Sequence, residues 1–73
     1  MSRIAAIGEE QRVRGFALAG VVVAAVADET AARNAWEALD DDVGLVILTP
    51  TAARGLRQEL ARAPRRLFVE LPE

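Results

Sequence analysis

The sequence predicts a small three-layer doubly wound α/β fold, a four-stranded parallel sheet in the order 2-1-3-4 with three helices. Three observations lead there. Four short apolar runs recur at residues 3–7, 21–26, 44–48 and 67–71, and the segments between them carry apolar residues at helical spacing. The connections are too short to hold a linker, so residues 1–73 read as one domain. Parallel strands joined by helices require right-handed crossovers, and 2-1-3-4 is the doubly wound order consistent with them.

Strand one, residues 3–7, is the apolar run that ends in Ile7 and meets Gly8 and the acids Glu9 and Glu10. Helix one follows over about 10–19, with Val13, Phe16, Ala17 and Gly20 at i, i+3, i+4 and i+7 on one face. Gly15 and Gly20 are read as serving close helix–sheet packing and helix termination. Strand two, residues 21–26, is Val-rich, as a strand covered on both faces would be.

Asp28, Glu29 and Thr30 suit the exposed N–H groups and positive dipole end of a second helix, whose inward stripe is Ala32, Ala35, Trp36 and Leu39. It runs into Asp40, Asp41 and Asp42, a solvated turn. A calcium loop would need oxygen ligands at alternating positions over about a dozen residues, and Val43 to Val46 follow instead. Strand three, residues 44–48, is the most hydrophobic and hence central. Thr49 can cap helix three, and Pro50 fits its first position because the missing N–H would have no intrahelical partner. Ala53, Leu56, Leu60 and Ala63 form its inward face, and Pro64 ends it. Strand four, residues 67–71, alternates Leu67, Val69 and Leu71 against Phe68 and Glu70, and Pro72 closes it as an edge strand.

This order places helix one on one face of the sheet and helices two and three on the other. Strands three and four then lack cover on the first face. If the apolar side made by Leu67, Val69 and Leu71 faces the helices, Phe68 and Glu70 project into the gap, and they are the candidate partner interface. An uncovered apolar face is a predicted interaction site.

Composition narrows the chemistry. A chain of 73 residues buries only about 60% of its unfolded surface, so its margin of stability is thin. Neither Cys nor His is present, which excludes disulfides and the usual zinc sites. A partner is the support that remains. All nine basic residues are arginine and net charge is −2, against the basic excess a nucleic-acid binder needs. Arg54, Arg57, Arg62, Arg65 and Arg66 read as a solvated helix face paired with Glu59 and Glu70.

The apolar run at 16–27 falls short of the ~20 residues of a membrane span, which argues against direct membrane insertion. It ends in small residues like a signal-peptide cleavage site, but Glu9 and Glu10 spoil the charged leader. The chain is therefore expected to be cytoplasmic.

In a doubly wound sheet a ligand would bind beyond the carboxyl ends of strands one and three, at Gly8, Glu9, Glu10, Thr49, Pro50 and Thr51. The glycines at 8, 15 and 20 are too far apart for a dinucleotide cradle, and Glu9 and Glu10 repel phosphate. A phosphoryl-accepting receiver domain would need an Asp after strand three and a Lys, where Leu48 and Thr49 stand and no Lys exists. Without His, Cys, Lys or Tyr the usual general base, thiol and Schiff-base amine are missing. Glu9 and Glu10 are read as first-turn acids of helix one, and Trp36 as core. No catalytic residue, cofactor or metal is expected.

Residues Ile4, Ala5, Ala6, Ile7, Gly8 and Glu9, followed by Gly15, Phe16, Ala17, Leu18, Ala19 and Gly20, resemble the opening of the F subunit of the V-type and archaeal-type (A-type) rotary ATPases. Gly44 to Thr49 resembles that family's third strand, and Phe68, Val69, Glu70, Leu71 and Pro72 its fourth. The match covers nearly the whole chain in order and spacing. It implies a non-catalytic subunit of the central rotor stalk, docked on the coiled-coil D subunit, cytoplasmic and peripheral to a membrane complex that couples ATP turnover to ion transport. Family members usually continue past the fourth strand into a C-terminal helix, whereas this sequence ends at Glu73, so regulation through that helix is not carried over. The alternative is a stand-alone regulatory or homodimeric scaffold of the same fold, self-associating through the open sheet face.

Overall fold

The computed structural model describes residues 3–62 and 64–73. Its strands are β1 (Arg3–Gly8), β2 (Val22–Ala25), β3 (Val43–Leu48) and β4 (Leu67–Glu70). All are parallel, in the order β2-β1-β3-β4, as the sequence predicts. The register shifts between Arg3 and Ile4, whose partners are Val43 and Leu45, so Gly44 is skipped.

Two of the three expected helices are broken. Helix one is regular only over α1 (Glu10–Val13) and then tightens into a 3-10 helix, Arg14–Ala19. Gly20 ends it with φ 80°, a left-handed cap that glycine adopts without steric cost. Val13 is its only fully buried side chain, with Phe16 half-buried and Ala17 and Gly20 exposed. A 3-10 segment repeats every three residues rather than every 3.6, so the expected i, i+4, i+7 face does not form. Gly15 is exposed, and a Cβ there would meet nothing within 4 Å, so close packing does not account for it.

The second helix, α2 (Glu29–Ala38), begins as expected, with the Asp28 carboxylate accepting from the Ala31 N–H at 2.8 Å. The expected third helix divides at Leu56 into α3 (Pro50–Gly55) and α4 (Arg57–Ala61). Leu56, at φ −105° and ψ 12°, is fully buried, and its N–H is shared among the carbonyls of Ala52, Ala53 and Arg54. Thr49 caps α3 through its hydroxyl, which accepts from the Ala52 N–H. Ala63, assigned by its spacing to the inward face, lies outside the described residues.

The ladder assigns each residue to a face, because successive side chains in a strand point to opposite sides. Ala5 and Ile7 stand beside Val22 and Ala24 on one flank and beside Val46 and Leu48 on the other, and the row continues to Phe68 and Glu70. This is the face that α2 and α3 cover, and it forms one core with Ala32, Ala52, Ala53 and Leu56. The opposite row holds Ile4, Ala6, Val23, Leu45, Ile47, Leu67 and Val69. The α1 and 3-10 segment packs over β1 and β2 there, and Ala6 and Val13 are buried.

The expected orientation of β4 is therefore reversed. Phe68 and Glu70 lie on the helix-covered face, and Leu67 and Val69 project into the gap. The purely apolar side of this edge strand is not its covered side. β4 is exposed along its whole length, so apolarity does not report its inward face.

Candidate functional site

Two places compete for function: the carboxyl ends of β1 and β3, and the uncovered half of the sheet. At the first, Gly8 leads into Glu9, which sits at the N-cap position of α1 in extended conformation but makes no side-chain cap bond. Its carboxylate accepts instead from the Thr49 hydroxyl at 2.6 Å and from the Thr51 hydroxyl at 2.9 Å. Thr49 is fully buried, and a Cβ on Gly8 would collide with its side chain. Glycine at position 8 thus lets β1 and the cap of α3 approach each other.

Hydrogen bonds from Thr49, from the Glu9 backbone and from Thr51, with the charge of Arg12, hold the Glu9 carboxyl below its ordinary range against an opposing effect of burial. Glu9 thus cross-links the starts of α1 and α3, whereas Glu10 alone keeps the expected place as a first-turn acid. The ligand position of the doubly wound fold is filled by the chain's own side chains.

The second place is an apolar strip across β1, β3 and β4. Ile4 is 40% exposed, Leu67 73% and Val69 42%, with half-buried Leu45 and Ile47 between them. Leu18, at 95% exposure, is carried by the 3-10 segment on the same face. Of the two residues predicted as the interface, Phe68 is 43% exposed on the opposite face. Glu70 lines a cleft there with Pro50, Ala53, Arg54, Arg57 and Leu60. The structure does not bring either onto the open strip.

Elsewhere the charges make local ties. Arg54 pairs with Glu29 at 3.6 Å rather than with Glu59 or Glu70. Arg3 pairs with Asp42 at 3.8 Å, and Arg66 lies 5.4 Å from the Trp36 ring centroid while donating to the Asp40 carbonyl. These contacts fasten the acidic turn after α2 to the amino ends of β1 and β4. Trp36 is half-buried against the core, as expected. No helix among the described residues is long and apolar enough to cross a membrane.

Comparison with known proteins agrees with this architecture. The family described as ATP synthase (F/14-kDa) subunit matches residues 4–73. The chain is 35% identical over 74 residues to the F subunit of the A-type ATP synthase of Methanococcus vannielii, covering 97% of this chain and 74% of that protein. The crystal structure of the F subunit of the V-type ATP synthase from Archaeoglobus fulgidus is similar at 27% identity and a TM-score of 0.79, over 97% of this chain and 98% of that one. The chain belongs to the family of ATP synthase F subunits.

Proposed function

We propose that this member of the F subunits is a non-catalytic part of the central stalk, docking on the coiled-coil D subunit and supporting the coupling of ATP turnover to ion transport. The observation that carries the reading is the strip Ile4, Leu45, Ile47, Leu67 and Val69, left without a covering helix on one face of the sheet. Exposed contiguous apolar surface favours a partner through the area it removes from water. The sequence expectation of an interface at Phe68 and Glu70 moves accordingly to Leu67 and Val69, their neighbours on the other side of the same strand.

A role without chemistry fits the residues at the switch point. Glu9 is the acid best placed to act there, and both of its oxygens are engaged by Thr49 and Thr51. The domain then serves as a shaped body whose open face is completed by its partner.

Co-expression with the D subunit of the stalk tests this. A complex that survives gel filtration at micromolar concentration is expected, and failure to associate would sink the proposal. If the same strip instead joins two copies of this chain, sedimentation will show a dimer that Leu67→Glu converts to a monomer.

A further inference from the structure

We infer that Glu9 is a latch that couples the α1 cover of the open face to the helices on the opposite face. The connection can be followed atom by atom. The Glu9 carboxylate accepts from Thr49, whose oxygen in turn accepts from the Ala52 N–H in the first turn of α3. It also accepts from Thr51, whose oxygen accepts from the Arg54 guanidinium at 3.2 Å. Arg54 pairs with Glu29 at the start of α2. One carboxylate thereby joins the beginnings of three helices, α1 on one face of the sheet and α2 and α3 on the other.

The elements it joins differ in how firmly they are held otherwise. The α2 and α3 pair shares the main core, whereas α1 and the 3-10 segment are anchored by Val13, by half-buried Phe16 and by the Arg12 guanidinium donating to the Pro72 carbonyl at 2.8 Å. Short segments with few buried side chains open at low free energy. Hydrogen bonds to an ionised acceptor are stronger than neutral ones, so the Glu9 bonds add to what keeps α1 seated. Anything that lifts or presses α1 on the open face pulls on Thr49 and Thr51, and so on the first turn of α3. This holds whatever partner occupies the face.

Amide hydrogen exchange on the isolated chain tests the latch from both ends. In Glu9→Ala, exchange is expected to quicken by about tenfold at Ala52 and Ala53 as well as at Arg12 and Val13, while Val46 in β3 keeps its rate. Thr51→Val, altered only in α3, is expected to quicken Arg12 and Val13 in α1, and it keeps the test available if Glu9→Ala fails to fold. Acceleration confined to the mutated element in either variant would overturn the coupling. Binding to the D subunit is no part of the readout, so a failed latch and a failed docking site give different results.

Discussion

The two faces of this sheet are made by alternate residues of the same strands, yet their fates differ. In the central strands β1 and β3, Ala5, Ile7, Val46 and Leu48 have no exposed surface, while Ile4 of the alternate row is 40% exposed and Leu45 and Ile47 are half-buried; at the edge strand β4 the rows are alike, with Phe68 at 43% and Val69 at 42%. Hydrophobicity does not separate the rows, since both are apolar. Connection does: the steps from β2 to β3 and from β3 to β4 both move one way across the sheet, so α2, α3 and α4 fall on one side and only α1 with its 3-10 segment on the other. Along β3 the burial of an apolar residue follows where the crossovers run, and on the proposed reading the uncovered row is the surface a partner would complete.

Mutations can break or sharpen that contrast. The largest effect is expected on the covered face, where Leu48→Ala should cost about 2–5 kcal/mol, read from urea denaturation, because it empties a site that cannot fully collapse. The matching truncation on the open face, Leu67→Ala, should stay within about 0.5 kcal/mol. Equal losses would erase the distinction. At the seam between the faces, Gly8→Ala should destabilise by about 1–3 kcal/mol, since the added methyl must displace buried Thr49. Asp28→Ala, which removes the cap of α2, should cost about 1 kcal/mol in the same assay.

A smaller effect concerns pH. The Glu9 carboxyl is held below its ordinary value in the folded state, so its contribution to stability is present above the unfolded value of 4.5 and is lost as pH falls through the folded one. The stability advantage of the native chain over Glu9→Gln should therefore be full at about pH 7 and shrink toward about pH 3. An advantage that grows on acidification would contradict the assigned environment.

Much of the fold was legible in the sequence, because strand order and the helix starts rest on local chemistry. Asp28, Thr49 and Pro50 announce their helices, and the four apolar runs announce the strands. The Leu56 break was not legible, since an inward face of Ala53, Leu56 and Leu60 reads the same whether one helix or two carries it. Nor was the tightening of helix one after Val13, because apolar spacing does not distinguish a 3-10 turn from a regular one. The candidate site divides in the same way. That part of one face would lie open followed from topology, but which side of β4 looks into the opening depends on its register with Val46 and Leu48, a long-range property. The role of Glu9 is hidden for a similar reason: its hydroxyl partners are distant in the chain, Thr49 at a sequence separation of 40.

Whether function resides on the open row can be decided by the binding of the D subunit to two single-residue variants. Val69→Glu places a charge on the open face, and Phe68→Glu places the same charge one residue away on the other. With both variants folded, as judged by circular dichroism, calorimetric titration is expected to show binding lost by Val69→Glu and kept by Phe68→Glu. Undiminished binding by Val69→Glu, or its loss in Phe68→Glu alone, would place the interface elsewhere and overturn the assignment.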